Sequence, residues 1–81
     1  MSTIAVNVIF FADLRRYLPK DANGPQPYTL PTGARVYDLL NTIGIPADTD
    51  LTVGLNGELA DRDTPLADGA DIMLLSPMEG G

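Results

Sequence analysis

One stretch of this chain has the apolar spacing of a full helix, and that restricts what the chain can become. Val36, Leu39, Leu40 and Ile43 fall at i, i+3, i+4 and i+7, so they share one stripe of a 3.6-residue period. Thr32 is the expected N-cap. Gly44 stands where a left-handed residue ends a helix, and Pro46 prevents it from resuming. A single stripe cannot close a helical bundle. It has to be laid against a sheet, and the rest of the chain must supply that sheet.

It does so in short pieces. Ile4 to Phe11 is rich in β-branched and aromatic residues and reads as a strand. Its pleat places Ile4, Val6, Val8 and Phe10 on one face and Ile9 and Phe11 on the other. Asp13 to Leu18 makes a helical turn stopped by Pro19, and a loose loop runs from Pro19 to Pro27. Tyr28 to Leu30 reads as a short second strand, marked by its flanking prolines as an edge. After the helix, Leu51 to Leu55 alternates as a third strand, and Asn56-Gly57 is a strong two-residue turn signal. A short strand at Glu58 to Ala60, a turn at Asp68-Gly69 and a last strand at Ala70 to Leu75 follow. The expected architecture is an α+β roll of the β-grasp kind: a mixed sheet of four to five strands, one main helix across it, and the first and last strands adjacent at the centre.

At 81 residues this is one domain, residues 1–75, followed by a tail, residues 76–81. So small a core buries about 60–65% of the surface of the unfolded chain. There is no Cys and no His, which removes disulfides, thiol nucleophiles, Cys/His zinc sites and the histidine general base from consideration. The formal net charge of −6 makes nucleic acid and anionic membrane poor partners and a basic protein a good one. No basic residue precedes the first apolar run and no run approaches a membrane span, so a cytoplasmic location is expected.

Three features could carry chemistry. The first is Gly80-Gly81 at the carboxyl end, which arises by chance in about 0.5% of chains; an expression scar or a truncation would also produce it. Glycines lack a Cβ and can thread a narrow channel. Ser76 to Gly81, fully extended, spans about 20 Å, enough to enter another protein's active site. ATP could convert the terminal carboxylate to an acyl-adenylate; attack by sulfide, or by a persulfide whose acyl disulfide product a thiol then reduces, would give a thiocarboxylate. The second feature is the outer sheet face. By the pleat, Ile72 and Leu74 point inward while Met73 and Leu75 point out beside Ile9 and Phe11. A wet face should be polar there, so an apolar docking patch is expected. The third is a scatter of acids: Asp48, Asp50, Glu58, Asp61, Asp63, Asp68, Asp71 and Glu79. Their spacing matches no metal loop, and they read as a solvated rim that steers a basic partner. No metal site is expected.

Taken in order, these segments resemble the ubiquitin-like sulfur-carrier family (MoaD/ThiS-like). Val8-Ile9-Phe10-Phe11-Ala12-Asp13-Leu14-Arg15 is similar to the first strand and turn of the molybdopterin synthase small subunit. Val36-Tyr37-Asp38-Leu39-Leu40 with Ile43-Gly44-Ile45-Pro46 resembles its helix and helix end. Leu55-Asn56-Gly57-Glu58, Pro65 to Asp71 and Ser76-Pro77 to Gly80-Gly81 complete the likeness, which covers nearly the whole chain. The resemblance implies a β-grasp protein that is not catalytic alone and binds no cofactor. It implies that Gly81 is adenylated by a ubiquitin-activating-like adenylyltransferase at the expense of ATP and then thiocarboxylated. It further implies that Pro77, Met78, Glu79 and Gly80 thread into the molybdopterin synthase large subunit, in a heterotetramer, to deliver sulfur to a pterin precursor. Phe11, Leu59 and Leu75 become the apolar docking residues; Leu59 rests on the resemblance alone, whereas Phe11, Leu75, Met73 and Ile9 also follow from the pleat.

Two positions depart from the pterin branch: Ser76 stands where a first proline is common, and Glu79 where a small neutral residue is usual. Asn56-Gly57-Glu58 is also common in the thiamin thiazole carriers, and conjugation to lysines as a protein modifier would use the same Gly81. Pro77 and Phe10-Phe11-Ala12 tip the reading toward molybdopterin.

Overall fold

A computed structural model of the protein describes residues 2–19, 24–46 and 48–76. Five strands form one sheet: β1 (Thr3–Phe10), β2 (Gln26–Pro31), β3 (Thr52–Leu55), β4 (Glu58–Ala60) and β5 (Asp71–Leu75), in the order β2-β1-β5-β3-β4. β1 and β5 are parallel neighbours at the centre, and every other pairing is antiparallel. Among the described residues, one helix, α1 (Val36–Ile43), and a short 3-10 helix over Ala12–Tyr17 are the other regular elements. This is the β-grasp roll expected from the pattern, with the first and last strands paired.

The pleat sorts the side chains. Ile4, Val6, Val8 and Phe10 of β1 are buried, as are Ile72 and Leu74 of β5 and Val53 of β3. They meet Val36, Leu39 and Leu40 of α1, of which Val36 and Leu39 are fully covered. β2 is longer than the three residues expected. It tolerates Pro27 and Pro31 because it lies at the sheet edge, where a missing N–H leaves no ladder bond broken on the outer side.

The helix start differs from expectation. Thr32 is not the N-cap; α1 begins after Arg35, whose backbone is extended. The first N–H groups need no side-chain cap because the neighbouring loop supplies carbonyls. Val36 donates to Thr64 and Tyr37 to Arg62, at 3.0 and 2.9 Å. The Asp38 carboxylate accepts from the Arg35 N–H at 2.8 Å, and the Arg35 guanidinium donates to the Asp63 carbonyl at 2.7 Å. The helix end is as expected. Gly44 is left-handed at φ 99°, and its N–H reaches the Asn41 carbonyl while that of Ile45 reaches Leu40, a Schellman closure. Asn56 (φ 52°) and Gly57 (φ 90°) turn β3 into β4.

Candidate functional site

The outer sheet face divides into a polar and an apolar end. Toward the start of β1 and β5 it carries Ala5, Asn7 and Asp71, all exposed. Toward their carboxyl ends it becomes apolar. The register lines up Ile9 with Met73, Met73 with Gly54, and Gly54 with Leu59, one row across four strands. Leu75 pairs with Thr52 one step on. Phe11 follows β1 and stays attached to it, donating its N–H to the Leu74 carbonyl at 2.9 Å.

Between these side chains lies a groove of about 470 Å³. Its lining is Phe11, Ala12, Thr52, Gly54, Gly57, Glu58, Leu59, Met73, Leu75 and Ser76. Phe11, Leu59, Met73 and Leu75, singled out from the sequence, therefore meet in one place. Ile9 does not line it. It sits on the same face but opens onto a neighbouring depression with Phe10, Phe11, Ala12, Arg15, Leu18 and Gly24. Large apolar side chains are left uncovered here: Leu59 is 75% exposed and Phe11 40%. Ser76, the last residue described, is part of the wall, so residues 77–81 are joined to the domain at the groove. Pro77, Met78, Glu79, Gly80 and Gly81 lie outside the described residues.

Two of the groove positions that the sequence does not single out shape it directly. Gly54 is buried in β3, and a Cβ there would meet the Met73 Cε at 3.0 Å. Its bare backbone is what lets the Met73 side chain lie flat across the groove floor. A lone glycine inside an alternating strand is a signal for such close approach. Ala12, at φ 52°, is a non-glycine residue in the left-handed region, where it turns the chain from β1 into the 3-10 helix and sets Phe11 at the groove rim. Nothing in an alanine announces that.

Asp68 accepts from the Ala5 N–H at 2.8 Å while the Gly69 N–H donates to the Ala5 carbonyl at 2.7 Å, which ties the β5 entry turn to β1. Asp48, Asp50, Glu58, Asp61, Asp63 and Asp71 are likewise exposed. Among the described residues, no three His, Cys, Asp or Glu side chains gather where they could hold a metal ion, and no helix is long and apolar enough to cross a membrane.

The profile of the ThiS family matches residues 8–81. The chain belongs to the ThiS family. This ThiS-family protein also resembles solved structures along nearly its whole length. A protein from Pyrococcus furiosus assigned as molybdopterin converting factor subunit 1 superimposes with a TM-score of 0.72 at 27% identity, covering 93% of this chain and 99% of that one. A complex of subunits 1 and 2 of the molybdopterin-converting factor from Helicobacter pylori contains a chain with TM-score 0.56 and 25% identity, covering 96% of this chain and 100% of that one. SAMP1 from Haloferax volcanii shares the fold, with TM-score 0.71 and 23% identity over 95% of this chain and 99% of that one. Comparison with curated protein sequences returns no match.

Proposed function

We propose that this ThiS-family protein carries sulfur as a thiocarboxylate on Gly81 and delivers it, as the small subunit of a molybdopterin synthase, to a pterin precursor. The observation that carries the reading is the position of the apolar groove at the tail's exit, with Ser76 in its wall. A partner seated on Phe11, Leu59, Met73 and Leu75 takes up the residues after Ser76 in the same act. The domain anchors while Pro77 to Gly81, up to about 17 Å when extended, reach a buried centre.

The chemistry needs nothing from the domain's own side chains. ATP converts the Gly81 carboxylate to an acyl-adenylate with release of pyrophosphate, on a ubiquitin-activating-like adenylyltransferase. Hydrosulfide attacks the acyl carbon, the C–O bond to AMP breaks, and one proton is lost as the thiocarboxylate forms. The likeness to subunit 1 from P. furiosus, and to a chain solved with its subunit 2 in H. pylori, supports a second synthase subunit as partner. The proposed assembly is a heterotetramer with the large subunit, as the sequence resemblance implies. The matched family profile favours sulfur delivery for thiamin thiazole as the second reading.

Reconstitution tests it. Thiocarboxylated protein is mixed with the synthase large subunit and pterin precursor, and separately with thiazole synthase and its substrates. Sulfur transfer in the first mixture supports the proposal. Transfer only in the second assigns the protein to the thiazole branch, and Gly-Gly remnants on lysines of other proteins would instead make it a modifier.

A further inference from the structure

The groove has two chemically different ends. It crosses the sheet from β1 to β4, from Phe11 and Ala12 at one side to Leu59 and Glu58 at the other. Phe11 and Ala12 are shared with the depression that Arg15 lines, so a cation stands next to the β1 end. Glu58 is exposed in the groove wall at the β4 end. The chain has only five basic residues against eleven acidic ones, so the exposed Arg15-Arg16 pair is a local reversal of sign. Arg16 lies over the Tyr17 ring, 5.5 Å from its centroid. Arg62 lines a depression that shares Thr52 and Leu59 with the β4 end of the groove, but its guanidinium donates to the Thr49 carbonyl. Among the described residues, Arg15 is therefore the cation beside the β1 end. β1 and β4 are three strand spacings apart, about 14 Å. This exceeds the screening length of about 8 Å at physiological ionic strength. The two charges therefore do not cancel, and a docked surface meets each one separately.

Resting on the docking role proposed above, we infer that the groove fixes the orientation of its protein partner by charge. The partner sets an acidic side chain beside Arg15, a basic one beside Glu58 and an apolar side chain between them. A partner turned end for end meets like charge at both rims. Rim charges act chiefly on encounter and register, while the apolar centre supplies the affinity.

The test is titration of the synthase large subunit, and separately of the adenylyltransferase, with wild-type protein, Arg15→Glu, Glu58→Lys and the double variant, at low and physiological salt. Both side chains are exposed, and circular dichroism checks each fold. The two single reversals alter net charge in opposite directions, and the double variant keeps it at −6. The inference expects each single variant to bind about three- to tenfold more weakly. It expects the double variant to bind more weakly still, and the losses to shrink in salt. Arg15→Gln and Glu58→Gln lose affinity in the same direction by less, and serve if a reversal disturbs the fold. If the single reversals move affinity in opposite directions and the double variant matches wild type, only net charge matters and the inference is overturned. Unchanged affinity in every variant overturns it as well. Wild-type protein that binds neither partner overturns the docking role and this inference with it.

Discussion

Replacing Leu59 with alanine separates docking from folding. The residue is 75% exposed in the free domain, so about three-quarters of its burial remains to be gained at an interface. Full burial of a leucine contributes about 1.5–3 kcal/mol. The share still available is therefore about 1.1–2.3 kcal/mol, or about 6- to 45-fold in Kd. The same arithmetic for Phe11, 40% exposed, leaves about 0.6–1.2 kcal/mol, or about 3- to 7-fold. Leu59→Ala should accordingly weaken binding to the synthase large subunit more than Phe11→Ala. It should leave stability within about 0.5 kcal/mol, a melting shift below about 4 °C for a domain of this size. Calorimetric titration and a thermal melt give both numbers on one sample. Unchanged affinity would show that Leu59 is merely a greasy edge residue. A large fall in melting temperature would show that it supports the fold.

Leu39→Ala makes the opposite prediction: the residue is fully buried, so unfolding in urea should show a loss of about 2–5 kcal/mol. Ala12→Gly should raise stability by about 0.5–1 kcal/mol, because glycine adopts φ 52° without strain; a lower denaturation midpoint would refute that. Gly54→Val should fill the groove floor against Met73 and weaken docking, with the fold checked by circular dichroism. Burial pushes the Tyr28 hydroxyl above its ordinary value of 10.0. Its neutral form favours the native state, so that stability is complete below pH 10 and lost as pH rises through the raised native value; Tyr28→Phe should flatten this part of the alkaline unfolding curve.

The elements were legible where local chemistry and tertiary demand agree. Asn56-Gly57 needs left-handed backbone at both turn positions, and Gly44 before Pro46 ends a helix under any packing. The two-residue pleat puts Ile72 and Leu74 on one face of β5 and Met73 and Leu75 on the other, and the alternating burial of the strand follows it although all four are apolar. The helix start was misread because its cap is not local: the carbonyls of Arg62 and Thr64, far along the chain, do the work assigned to Thr32. For the same reason Leu59 could not be placed from its own short strand. It joins the groove only through pairing with Gly54, which in turn pairs with Met73. Ile9 shared the right face but not the groove, since the pleat gives the side of a sheet and not the position of a depression along it.

The central claim is that Gly81 is the reacting group, and the mass of the intact protein tests it most directly. Full-length protein is incubated with the adenylyltransferase, ATP and sulfide, then weighed and its carboxyl-terminal peptide sequenced. The account predicts a gain of about 16 Da, oxygen replaced by sulfur, confined to Gly81 and absent from a variant lacking that residue. An unchanged mass, or the same gain in the shortened variant, would contradict it.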